Sequence, residues 1–369
     1  MKLASRPTSL SVPPSRPHRR AGVRSTALVL VVLGCGLLVA LLLAVSFGST
    51  AIPLSTVAQI LLNATGIFHL PRTWDSASEV IVLDVRLPVV VAAGLVGAAL
   101  AVAGTLFQGM LRNPLADPYL LGTSSGAAFG ATIAFILPLQ TSFGASLFSL
   151  TPLLAFIGAL LTVLLVYALA RTDGQTPVVT LLLAGVVVNA VMVALQTLLV
   201  TLSPRAQFVI SSLFDWLSGG IAIVNWPPVL VVGVIVLVCI LCSLALGGVL
   251  DAFALGEEGA AYLGLHVEWS KLLIIVLASL LTAAAVSISG LIGFVGLVTP
   301  HVLRLWLGPY HRSLIPTSAL AGAIFLILAD LLARVIIAPA MLPVGVFTAL
   351  VGAPFFLFLL RHRKRDYRW

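Results

Sequence analysis

Polar positions in this chain are clustered, and long apolar stretches separate the clusters. Uncharged runs punctuated by charge, glycine and proline fall at 27–47, 88–111, 119–137, 152–170, 178–201, 227–246, 272–290, 297–307, 314–335 and 344–360. Most of them approach the roughly 20 apolar residues that carry a helix across a bilayer. Strand alternation is absent, and the runs exceed the about 10 residues of a barrel strand. Hydrocarbon offers no water to satisfy a backbone, so helices are the remaining way to span. The pattern predicts an all-α polytopic membrane protein with ten transmembrane helices, some of them short or broken. Asp117 and Arg171 bracket an uncharged stretch long enough for two helices joined by a turn between Pro138 and Pro152. The run 297–307 is too short to cross alone, and Gly290, Gly293, Gly296 and Pro300 in and around it predict a half helix enclosed by protein.

Composition strengthens this reading. Of 369 residues, 60% are hydrophobic and only 9% charged, against about 45–50% and 25% in soluble domains. The net charge of +8 would suit nucleic acid if the cations formed a surface. Instead Lys2, Arg6, Arg16, Arg19, Arg20 and Arg24 precede the first run, and Arg361, Arg363, Lys364, Arg365 and Arg368 follow the last. No aromatic interleaving accompanies them, so membrane topology with anionic lipid contact explains them and nucleic acid does not. Residues 1–24, rich in Pro, Ser and Arg, are predicted to be a disordered basic cytoplasmic tail, 25–361 the ten-helix domain, and 362–369 a basic cytoplasmic tail. Arg19 and Arg20 resemble an export signal, but the run 27–47 is longer than the 7–15 residues of a signal core, so it is read as an uncleaved span. With the N-terminus inside, only Arg72, Arg86, Arg205 and Arg334 lie outside, which agrees with the positive-inside rule. The inner loop 247–270 breaks that rule, carrying Asp251, Glu257, Glu258 and Glu268 without a cation. Cys35, Cys239 and Cys242 all sit within apolar runs and read as packing.

Three stretches invite chemistry. Asn113-Pro114-Leu115 and Asp117-Pro118 impose two tight breaks after the second span, as an ordinary turn between helices also would. Leu255 to Leu265 predict a short helix with Glu257 and Glu258 in its first turn and Ala260, Ala261 and Leu263 as an apolar flank behind them. That helix is either a solvated loop element or a docking element for a cytoplasmic partner. In Ser289 to Arg304, regularly spaced glycines permit close backbone approach. His301 within it is either a relay or ligand, or hydrogen-bonded structure.

Taken together, Arg86-Leu87-Pro88, the NPLADP segment followed by LGTSSGA, LLLAGV at Leu181–Val186, ALGE followed by LGL, GFVGLVTPHVLR, the Ala329–Arg334 pattern and LPVG at Leu342–Gly345 form an ordered set. From about residue 28 to 361 the chain resembles the permease family of ABC importers for iron-siderophores, haem and vitamin B12. The resemblance implies a type II importer permease, multi-pass in the bacterial cytoplasmic membrane with both termini inside. It implies pairing with a second permease copy, binding to two ABC ATPase subunits, and receipt of cargo from an extracytoplasmic substrate-binding protein. No cofactor is implied for this chain itself, ATP and Mg being used by the ATPase, and no G-x-x-x-x-G-K-[ST] phosphate loop occurs in the sequence. A ferric siderophore is the expected cargo, with haem and cobalamin next. By resemblance, Glu257, Glu258, Gly259, Ala260, Leu263 and Gly264 form the ATPase coupling element, and Asn113, Pro114 and Leu115 narrow the cytoplasmic mouth. Arg86 and Arg334 match arginines that receive the binding protein, although a second arginine three positions after the first is here Val89.

Two other classes share parts of the pattern. An ion-coupled secondary transporter needs membrane-embedded carboxylates, for which Asp330, and Asp215 in an expected re-entrant outer helix, are the candidates. An intramembrane serine hydrolase would draw on Ser124 or Ser125 with His301 as base.

Overall fold

The computed structural model describes residues 23–363 apart from 49, 68–69, 138–149, 222, 224 and 339. The chain runs through α1 (Val23–Ser46), α2 (Leu54–Ala64), α3 (Ser76–Val80), a π-helical stretch (Ile81–Arg86) and α4 (Leu87–Met110). A 3₁₀ turn (Pro118–Leu121) leads into α5 (Thr123–Ile136), followed by α6 (Leu150–Ala170), α7 (Val178–Leu202), α8 (Ala206–Leu217) and α9 (Trp226–Ala245). Two short helices, α10 (Gly247–Phe253) and α11 (Glu257–Tyr262), precede α12 (Val267–Ser289), α13 (Val295–Leu307), α14 (His311–Val335) and α15 (Val344–Arg363). Among the described residues no strand occurs, only a single bridge between Thr172 and Gln175.

Each of the ten expected runs is helical. Seven helices among the described residues are long and apolar enough to cross a membrane: α1, α3 continued through α4, α6, α7, α9, α12 and α14. The remaining three are α5, α13 and α15. At 1.5 Å per residue, α5 with 14 residues and α13 with 13 reach about 20 Å, short of the roughly 30 Å hydrocarbon core. For α13 this was expected. The run from 119 was expected to be continuous, but Asp117 caps the Tyr119 N–H, and Gly122 at φ 79° reverses the chain before α5 begins. Helical backbone also takes in Val23 and Arg24 at the start and continues to Arg363. The rest of the expected tails, and most of the expected turn between Pro138 and Pro152, lie outside the described residues.

Helix α4 is the buried axis of the bundle, packed by α14, α12, α13 and α9. Its glycines explain how. Gly97 meets the Gly322 backbone of α14, and Gly104 meets the Gly296 backbone of α13, with no room for a Cβ at either crossing. Such contact lets dispersion forces act between backbones where lipid supplies no hydrophobic drive. By contrast α1, α7 and α9 expose Leu and Val along their outer faces, which suits contact with hydrocarbon.

Between α12 and α13 the chain unwinds over residues 290–294, with Gly290 at φ 62° and Phe294 at φ 69°. Neighbouring elements satisfy the freed backbone. The Tyr119 hydroxyl donates to the Ile292 carbonyl at 3.0 Å, the Gly220 N–H to the Ser289 carbonyl at 2.9 Å, and the Gln108 amide to the Gly296 carbonyl at 3.1 Å. Irregular backbone is thus enclosed in protein, as membrane depth requires.

Candidate coupling and docking sites

Chemistry gathers at the two ends of the bundle. At the end holding the α4–α5 and α9–α12 connections, α11 starts at Gly256 with φ 94° and stops before Gly264 with φ 82°. A six-residue helix between two left-handed glycines is set off from α10 and α12 on both sides. Only Ala260 of its apolar flank is buried. Leu263 is 62% exposed, and with exposed Leu255 and Tyr262 it forms an apolar surface around Glu258.

The acidic loop has its cations elsewhere in the fold. Glu257 meets the Lys271 ammonium at 2.6 Å and Glu268 meets it at 2.9 Å. Asp251 accepts from the His311 backbone N–H and pairs with the His311 ring, each at 2.8 Å. Burial pushes the Asp251 carboxyl up, but the His311 hydrogen bonds and the Arg312 charge outweigh it and hold the group below the ordinary carboxylate value. Glu258 remains exposed. The charge pattern that defied topology is therefore an assembly of pairs, and its one sequence signal was the Glu268–Lys271 spacing of three on a helix.

Asn113, Pro114 and Leu115 form a stiff turn close by. The Asn113 side chain accepts from the Leu115 N–H at 2.9 Å, its carbonyl accepts from Ala116, and Leu115 is left 41% exposed at the tip. Behind the turn, Arg304 donates to Gln108 at 3.2 Å, tying α13 to the end of α4.

At the opposite end lies Arg86, which the resemblance assigns to docking of the binding protein. It is 6% exposed and donates to the carbonyls of Val45, Ser46 and Thr50 and to the Thr50 hydroxyl. An arginine has five donors and no acceptor, so the carbonyls left free where α1 ends suit it. Arg334 is largely buried too, paired with Asp330 one turn back at 2.7 Å. Asp330 is thereby matched by a cation, which removes the main free carboxylate a secondary transporter would use. Asp215 is exposed on α8. Ser125 donates to the Gly122 carbonyl, and His301 is buried within α13, so both have structural settings.

A bundle with an enclosed half helix, an unwound crossing and a short helix set off at one end is the architecture of an ABC importer permease. The chain belongs to the FecCD transport family, whose model matches residues 36–362. It is 45% identical over 303 residues to the cobalamin import system permease protein BtuC of Halobacterium salinarum, covering 80% of this chain and 76% of that one. To the hemin transport system permease protein HmuU of Yersinia pestis it is 42% identical over 294 residues, covering 78% and 84%. An uncharacterized ABC transporter permease protein, YvrB of Bacillus subtilis, is 39% identical over 351 residues, 95% of this chain and 98% of its own. Among solved structures, an inward-facing conformation of a putative metal-chelate type ABC transporter matches with a TM-score of 0.77 at 32% identity, over 91% of this chain and 99% of that one.

Proposed function

We propose that this chain is the membrane path of an ATP-driven importer of a bulky metal chelate. It works as two copies with two ATPase subunits at the α10–α11 end and a substrate-binding protein at the Arg86 end. The observation that carries the reading is α11 itself, a short helix between two left-handed glycines that exposes Glu258 and Tyr262, with Leu255 and Leu263 exposed just beyond its ends. A surface of that kind fits a groove on a soluble partner. Both termini then face the cytoplasm, and the turn at Asn113–Leu115 narrows the inner mouth.

Docking of the binding protein falls at the end that holds Arg86, bonded to neutral carbonyls, and Arg334, paired with Asp330. A ferric siderophore is the cargo expected from the sequence. A tetrapyrrole is the second reading, favoured because the cobalamin and hemin permeases are 45% and 42% identical, against 37% for the iron(3+)-hydroxamate permease FhuB of Bacillus subtilis.

Reconstitution tests this. Proteoliposomes holding the permease and its ATPase, offered the binding protein with cobalamin, haem or a ferric hydroxamate, should take up one of the three only when ATP is enclosed. ATP hydrolysis by the permease alone, or uptake driven by an ion gradient without ATP, would overturn the assignment.

A further inference from the structure

We infer that Lys271 is a positioning residue for transport: it is the joint through which displacement of α11 is handed to α7. The inference rests on the reading of α11 as the ATPase contact and adds the route by which motion leaves it.

The Lys271 ammonium is buried, its side chain 4% exposed, and its three donors are all used. One goes to Glu257 on α11 at 2.6 Å, one to Glu268 on α12 at 2.9 Å, and one to the Thr176 carbonyl at 3.1 Å. The other oxygen of Glu268 accepts from the Thr176 N–H at 2.8 Å. Both backbone polar groups of Thr176 are therefore clamped by the Lys271–Glu268 pair.

Thr176 sits at the foot of α7. Thr172 and Gln175 exchange backbone hydrogen bonds of 2.9 and 3.0 Å around Asp173 and Gly174, which have φ values of 52° and 79°. That tight turn has little slack. Pro177 follows directly, its φ fixed by the ring, and caps the first turn of α7. A pull on Thr176 is accordingly passed to the helix axis rather than absorbed by a loop.

On the other side, α11 is joined to its neighbours by local turns, Leu255 and Gly256 bonding to Ala252 and Phe253, and Gly264 and Leu265 to Ala261 and Ala260. Among the described residues the Glu257–Lys271 pair is its only ion pair to the bundle. A joint made of a buried cation between two carboxylates is directional and strong, because its members lose their partners if the elements separate.

Lys271→Met keeps the buried stem and removes the charge, leaving Glu268 on the Thr176 N–H. In the complete complex with ATPase and binding protein, Lys271→Met should retain the ATPase through purification and keep basal hydrolysis. Cargo moved per ATP should drop at least tenfold, and Lys271→Arg should recover it to within about threefold. Hydrogen exchange gives a readout independent of cargo. In the wild-type permease–ATPase complex, ATP binding should change protection of both α11 and the first turn of α7, whereas in Lys271→Met the change should stay confined to α11. If Lys271→Met does not accumulate in the membrane, Glu268→Gln, whose single acceptor oxygen cannot serve both the Thr176 N–H and the Lys271 ammonium, should lower cargo per ATP in the same way. Unchanged cargo per ATP together with an unchanged exchange response in α7 would overturn the joint. Failure of ATP-driven uptake in the wild type would instead strike the importer reading, and the exchange comparison would still decide on Lys271.

Discussion

Two buried cations hold the two ends of this bundle, and they are satisfied by different acceptors. Arg86 is surrounded by neutral groups: three carbonyls and one hydroxyl from the segment that follows and ends α1. Lys271 is surrounded by two carboxylates and one carbonyl, brought from three separate elements. A carbonyl cage fixes one stretch of backbone in one place and leaves the positive charge uncompensated. Carboxylates on separate elements bind those elements to each other and neutralise the cation locally. The first arrangement suits an end that stays put while its field reaches outward; the second suits an end where parts move together.

The sharpest way to break this comparison is Arg86→Met. Hydrogen bonds to a charged group are worth about 1.5–3 kcal/mol each, and the abandoned carbonyls stay buried, so unfolding of the detergent-solubilised protein should come at least about 3 kcal/mol easier. A loss under about 1 kcal/mol would show that the carbonyl cage does not hold this end. Lys271→Met should cost less in the same unfolding measurement, about 1–3 kcal/mol, because Glu257 and Glu268 are 40% and 32% exposed and can rehydrate. Equal losses at the two sites would erase the distinction between cage and joint.

A smaller effect is expected at Asp251. Asp251→Asn should cost about 1 kcal/mol through the weakened contact with His311. Because the folded carboxyl lies below its ordinary value, the contribution is complete above the unfolded value of about 3.9 and disappears as pH falls through the lowered one. The stability difference between wild type and Asp251→Asn, followed by denaturation against pH, should therefore close only in acid. A difference that closed between pH 8 and pH 6 would assign it to another group. Glu258→Gln marks the bottom of the scale, within about 0.5 kcal/mol of wild type since the residue is exposed. It should nonetheless weaken ATPase binding in a pull-down, and unaltered binding would remove Glu258 from the contact.

The two ends also differ in how far they could be read beforehand. That the ten apolar runs are helical was legible, because such a run is a local property and lipid enforces it. The amphipathic α2 was missed: it mixes Ser, Thr, Gln and Asn with its apolar residues over 11 positions, below any span signal. Arg86 was noticed as a residue, yet its burial depends on where α1 ends, some 40 positions earlier. The acidic loop looked anomalous for the same reason, since Thr176 and Lys271 lie 95 positions apart and meet only in the folded chain. The stiff turn at Asn113 was legible from Asn-Pro alone, because its hydrogen bonds are local.

The π-helical stretch Ile81–Arg86 gives the helix that continues into α4 a tolerance that the rest of it lacks. A π turn holds one residue more than an α turn, so chain length there is decoupled from the phase of the helix on either side. A one-residue length change between Ile81 and Val85 is the kind this helix is built to absorb during divergence. The same change within α4 would swing everything on one side of it by about 100° and carry Gly97 away from Gly322, the backbone it now touches.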